Sequence, residues 1–126
     1  MIYRFTHVLE DKFTQGVDFN YIGTTKNYQN TNWLSGEKPS LEDFNLWILE
    51  YNVAEAKKLL RIERNQLLQE SDWRDLPSYP GTDQAEWRTY RQALRDLTNT
   101  ETPALNDNGE LINVNWPVPP GESNGS

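Results

Sequence analysis

Arg61-Ile-Glu-Arg-Asn-Gln-Leu-Leu-Gln-Glu-Ser-Asp-Trp73 and Trp87-Arg-Thr-Tyr-Arg-Gln-Ala-Leu-Arg-Asp-Leu97 decide the fold between them. The first stretch is the end of an amphipathic helix that runs into a Ser-Asp-Trp turn. The second is a shorter helix in which Trp87, Tyr90, Leu94 and Leu97 recur three, four and three residues apart and so share one face. Pro77, Pro80 and Gly81 keep the connection out of a helix. The expected body is an αα-hairpin over residues 40–97. Arg88, Arg91 and Arg95 are expected on its other surfaces, within reach of Glu86, Asp96 and carboxylates of the first helix.

Upstream, Ser40-Leu41-Glu42-Asp43 has the form of a capping box, and Leu41, Phe44, Trp47, Ile48 and Tyr51 form one apolar stripe after it. Ala54, Leu59, Leu60, Ile62, Leu67 and Leu68 continue it with a drift in phase near Asn52-Val53. An unbroken helix from residue 41 to residue 70 would be about 45 Å long. A bend near Asn52, or an overhang that meets another subunit, is therefore expected. Thr82 or Asp83 caps the second helix, the latter with Glu86 at the capping-box position.

The chain divides into three regions: residues 1–39, 40–97 and 98–126. In the first, residues 2–9 are rich in aromatic and β-branched types and predict a strand. A turn over 10–16 and a returning strand over 17–23 would make an N-terminal β-hairpin or extended arm. Residues 23–39 are polar, with Tyr28 and Trp33 as isolated apolar pegs. They form either a loop fastened by two rings or an arm lying on a partner. The last region is a polar insert with a turn at Asn106-Asp107-Asn108-Gly109, an edge strand over 111–117 stopped by Pro117, and a flexible tail over 121–126. The fold class is α-rich with a minor β component.

Composition narrows the function. At 126 residues with 36% hydrophobic content, the chain is one small domain with appended segments. Its 12% aromatic content builds the core from a few large rings. Mean hydropathy is −0.85. The net charge of −7 is uneven: residues 1–53 carry four basic and seven acidic side chains, 54–97 eight of each, and 98–126 none basic and four acidic. Without a concentrated basic face, neither nucleic acid nor a membrane surface is an expected partner. There is no cysteine, excluding disulfides and thiolate chemistry, and neither an export signal nor a membrane span is legible, so a soluble, unexported protein is expected.

Chemistry is not legible either. His7 is the only histidine and, beside Phe5 and Leu9, is expected to be a partly buried structural residue. Asp72 and Asp75 are expected to cap and to pair with Arg74 or Arg88. The Asn106–Gly109 turn lacks the later glutamate and flanking helices of a calcium loop, and no serine has triad partners. No enzyme, cofactor or metal is expected. Trp47, Trp73 and Trp87 are expected in the core, whereas Trp33 and Trp116 lie in polar, extended stretches and are better interface anchors.

The order of Arg61 to Trp73, Leu76-Pro77, Trp87 to Leu97 and Asn113-Val-Asn-Trp-Pro117 resembles the tail assembly chaperone family of tailed bacteriophages. The resemblance covers about half the chain and none of the first 39 residues. It departs around residues 98–110, where a longer polar insert replaces a short link. It implies a phage tail protein, made in the host cytoplasm, that acts by contact with a tail-fibre or baseplate protein and stays in the virion tail. A transient assembly chaperone absent from the particle is the alternative, and a non-viral soluble adaptor a remote one. A homo-oligomer within the tail is also open. Trp33, Trp73, Trp87, Tyr90, Arg91 and Trp116 are the expected partner-binding residues.

Overall fold

The computed structural model describes residues 2–121; the expected flexible tail lies, apart from Gly121, outside the described residues. Helices dominate: α1 (Phe5–Lys12), α2 (Leu41–Ser71) and α3 (Gln84–Thr100), with β1 (Phe19–Tyr21), β2 (Thr31–Trp33), β3 (Ala104–Leu105) and β4 (Leu111–Ile112). The α-rich class with minor β holds. The chain divides into two units. One contains residues up to Glu55 with Asp107–Glu110, the other Ala56–Asn106 with the chain from Leu111 on.

In the first unit, the strand expected over residues 2–9 is a helix instead. Phe5, Val8, Leu9 and Phe13 recur at helical spacing, and this outweighs their β propensity. The Arg4 N–H donates to His7 Nδ1 at 2.9 Å, which satisfies a donor at the helix entry. His7 is thus exposed, not partly buried, and its role is local. The strand expected over 17–23 forms as β1, but its partner is β2 and not residues 2–9: the two pair antiparallel, Phe19 opposite Trp33 and Tyr21 opposite Thr31. So part of the expected irregular stretch over 23–39 is a strand. Lys38 Nζ fastens it, donating to the carbonyls of Tyr28 at 2.8 Å and Thr31 at 2.6 Å.

Val8, Leu9, Phe19 and Phe44 form the buried centre of this unit, ringed by Phe5, Phe13, Trp33, Trp47 and Tyr51 among others. Edge-to-face contacts dominate, including Phe5–Phe44 at 5.0 Å and Phe13–Trp33 at 4.7 Å between centroids. Tyrosine hydroxyls reach the rim: Tyr21 donates to Glu10 at 2.9 Å and Tyr51 to Asp11 at 2.5 Å. Burial, then the Glu10 carboxylate, pushes Tyr21 up to about 12.

α2 starts as expected, with the Asp43 N–H on Ser40 Oγ at 3.0 Å. It then continues for 31 residues without a break at Asn52. The Asn52 amide instead exchanges two hydrogen bonds with the Tyr3 backbone, 2.6 and 3.0 Å. The drift in phase marks where α2 passes from the first apolar cluster to the second.

The second unit pairs α3 with α2 from Ala56 on; the part of α2 before it, also expected in the hairpin over 40–97, belongs to the first unit. Leu60 of α2 packs with Trp87, Tyr90, Leu94 and Leu97 of α3, and Leu67, Leu68, Leu111, Val114 and Trp116 surround them. Asp83 precedes α3, but its side chain makes no cap hydrogen bond and the expected capping box with Glu86 does not form. The edge strand expected over 111–117 shrinks to Leu111–Ile112, paired with Ala104–Leu105. Asn113 ends it at φ 65°, a left-handed conformation that asparagine tolerates, with its amide on the Thr102 carbonyl at 2.7 Å.

Phe44 is 1% exposed at the centre of the first unit. Phe44→Ala is expected to cost about 3–5 kcal/mol by loss of burial and the cavity left behind. Urea unfolding followed by far-UV circular dichroism measures it.

Candidate functional site

α2 ends without a basic residue in its last turn. Its terminal carbonyls are satisfied from two directions. The Ser71 hydroxyl turns back to the carbonyls of Leu67 at 2.9 Å and Leu68 at 3.2 Å. Arg91, arriving from α3, donates through Nη1 to the Leu68 carbonyl at 2.6 Å and to Ser71 Oγ at 2.7 Å, and through Nη2 to Asp72 at 2.5 Å. Its positive charge sits where the helix dipole is negative. The expectation that Arg91 occupies an outer surface is therefore overturned: it is 6% exposed, because orphan carbonyls at a helix end repay the burial of a guanidinium. One buried atom, Arg91 Nε, has no hydrogen-bond partner.

Beyond Ser71 the chain makes a 3-10 turn, Asp72–Asp75. Arg74 in that turn lies over the Trp87 ring at 4.0 Å and the Trp73 ring at 4.4 Å. It also donates to the Tyr79 hydroxyl at 3.0 Å. Tyr79 donates to Asp83 at 2.6 Å, and the other Asp83 oxygen accepts from Trp87 Nε1 at 3.0 Å. This is why Asp83 does not cap α3: both its oxygens are engaged by rings. Gln84 ties down the backbone, donating to the carbonyls of Arg74 at 3.1 Å and Leu76 at 2.7 Å. Arg88 pairs with Asp75 at 2.7 Å, half exposed and so of small energetic weight. Gly81 is required here: a Cβ would collide with the Tyr79 hydroxyl, whose position two hydrogen bonds fix.

From this fixed loop two apolar side chains project, Trp73 at 49% and Leu76 at 51% exposed. The expectation that Trp73 is core is corrected. Trp73 lies in the turn beyond the end of α2, and its ring stands edge-on to Tyr79 at 5.2 Å. A cleft of about 370 Å³ opens beside the loop, lined by Leu67, Glu70, Arg74, Trp87, Tyr90 and Pro119 among others. A second, of about 400 Å³, runs from the other side of Tyr90 past Ala93 to Pro117 and Val118.

Of the six residues expected to bind a partner, Trp73, Trp87, Tyr90 and Arg91 gather around this loop and α3. Trp116 is half-buried against the same core. Trp33 belongs to the first unit, its ring against Phe13 and Phe19 and its Nε1 on the Ser35 carbonyl at 2.7 Å. Sequence reasoning missed Leu76, Tyr79 and Gln84 and the stacking of Arg74. A tyrosine between Pro77 and Gly81 was the available signal. Among the described residues, no group of three or more His, Cys, Asp or Glu is placed to hold a metal ion, and no helix is long and apolar enough to cross a membrane.

In comparisons with known proteins, the family model described as phage tail assembly chaperone protein matches residues 57–121. No curated protein sequence and no solved structure matches.

Arg91→Ala is expected to destabilise the second unit by about 1–3 kcal/mol, since it removes the donor to the buried Ser71 hydroxyl and one of two donors to the Leu68 carbonyl, while Asp72 stays in water. Arg91→Lys should lose most of the same amount, because an ammonium cannot span the Leu68 carbonyl, Ser71 and Asp72 together. Chemical denaturation of both variants checks this. Stability should also depend on acid. The hydrogen bond from Tyr79 holds Asp83, and that from Arg88 holds Asp75, below the ordinary carboxylate range. A lowered folded pKa contributes stability above the unfolded value and loses it as pH falls through the folded one. Thermal melts should hold level between about pH 4 and pH 10 and decline below pH 4, and Asp83→Asn should blunt the decline at the acid end.

Proposed function

The chain belongs to the phage tail assembly chaperone family, and from that premise we propose that it is a non-enzymatic protein that binds a tail-fibre or baseplate protein through the loop carrying Trp73 and Leu76. The observation that carries this reading is a half-exposed tryptophan on a loop whose neighbours are all fastened. Tryptophan leads the residue types that dominate binding energy. Holding its surroundings rigid beforehand lowers the entropy lost when a partner docks. Arg74 and Trp87 support the ring from below, Arg91 fixes the turn, and Tyr90 and Trp116 shape the neighbouring clefts. Trp33 lies in the first unit and is a separate candidate contact, not part of this loop.

In this reading the protein is retained in the virion tail. The second reading, a transient factor that leaves before the tail is complete, draws on the family's own description as an assembly chaperone. Mass spectrometry of purified virions, quantified against the major tail proteins, separates the two. A fixed copy number per particle is expected; absence from virions with abundance in infected cells establishes the transient factor. The docking loop has its own test, with the phage's tail-fibre and baseplate proteins as binding partners. Trp73→Ala is expected to weaken the complex at least about tenfold while leaving the melting temperature within about 2 °C. An equal fall in both would make Trp73 structural.

A further inference from the structure

The first unit, which lies outside the matched residues, carries a second apolar surface. Leu46, Leu49 and Val53 on α2 are 54%, 59% and 37% exposed, although Phe44, Trp47, Ile48 and Tyr51 on the same helix serve the core. Their spacing of three and four residues aligns them in one stripe along the helix surface. Three large aliphatic side chains in a row exceed the scatter of single exposed residues that any surface shows.

The charge around the stripe is mostly negative. On a helix the surface neighbours of Leu46 are Glu42, Asp43, Leu49 and Glu50, and Val53 borders Glu50 on one side and Lys57 on the other. No lysine or arginine lies between residues 41 and 56, so Lys57, at the C-terminal end of the stripe, is the one helix cation against three carboxylates. Among the described residues, Glu42, Asp43 and Glu50 form no ion pair. The unit's own lysines are occupied elsewhere. Lys12 lies over the Trp47 ring at 4.9 Å, Lys26 over Tyr21 at 5.2 Å, and Lys38 over Tyr28 at 4.1 Å.

We infer that this stripe is a docking face for an amphipathic helix whose apolar seam is flanked by lysine or arginine. An aliphatic row with carboxylates along it fits an occupant of that pattern in both packing and charge. A second copy of the same stripe would bring carboxylates against carboxylates and fits worse. The stripe and the Trp73 loop share no residue and belong to different units, so the chain has two surfaces and can join two partners.

The probe is a pair of synthetic amphipathic helical peptides with the same leucine seam, one flanked by lysines and one by glutamates. Binding to the full chain is read by fluorescence anisotropy. The lysine peptide should bind saturably, more weakly as salt rises, and the glutamate peptide should not. Leu46→Ser with Leu49→Ser should weaken binding at least about tenfold, with the fold checked by circular dichroism. Glu42→Lys with Glu50→Lys should reverse the preference between the peptides. Trp73→Ala should leave binding unchanged even where it abolishes tail-protein binding, which keeps this face distinguishable from the docking loop. Equal binding of both peptides, indifference to the serine variant, or loss in Trp73→Ala overturns the inference. So does a dimer in sedimentation equilibrium that the serine variant dissolves, which would assign the stripe to a second copy.

Discussion

The guanidinium of Arg91 at the end of α2 is the interaction on which the second unit depends. A helix needs partners for its last carbonyls, and here no glycine cap or basic residue in the last turn supplies them. α3 supplies them with one side chain that reaches the Leu68 carbonyl, the Ser71 hydroxyl and the Asp72 carboxylate together. This fixes where α2 stops, which way the chain leaves, and how α3 lies along it. The unpartnered Nε is a cost of about 1–3 kcal/mol, outweighed by the charge-assisted bonds made by the other two nitrogens.

The loop after Ser71 exploits that fixed exit. α2 ends there, and Trp73 emerges on the short 3-10 turn that follows. Arg74 then turns inward between Trp73 and Trp87, and Tyr79 and Asp83 close a ring of hydrogen bonds around it. The aromatic side chains thus act less as bulk filling than as surfaces against which cations and hydroxyls are placed. The first unit uses the same chemistry, with lysines over its rim of tyrosines and tryptophans and Lys38 bridging two carbonyls. In a chain with only 36% hydrophobic residues, such contacts add to an apolar core that is small.

The helical hairpin was legible because the three- and four-residue spacing of Trp87, Tyr90, Leu94 and Leu97 is a property of one segment. The N-terminal helix was harder: Tyr3, Phe5 and Val8 favour strands locally, and the helical spacing of Phe5, Val8 and Leu9 prevails where Val8 and Leu9 are buried with Phe44. Asp83 illustrates the same limit. Its position before α3 matched a cap, yet Tyr79 and Trp87 compete for its oxygens and win. At the candidate site, Trp73 and Arg91 were both singled out, but with their environments exchanged: the tryptophan is half in water and the arginine is buried.

By itself the sequence determined the elements with a strong internal period, α2 and α3, the turn signals between them and the imbalance of charge. Those arise from chain-local rules, residue spacing and backbone restriction, which need no knowledge of what lies opposite. Tertiary structure alone decided the surroundings of Arg91 and Trp73. Arg91 is inside because the Leu68 carbonyl, the Ser71 hydroxyl and the Asp72 carboxylate at the end of another helix receive its guanidinium, and Trp73 is half outside because it lies in the turn beyond that end. Both depend on contacts between segments far apart in the chain, and no local pattern encodes them.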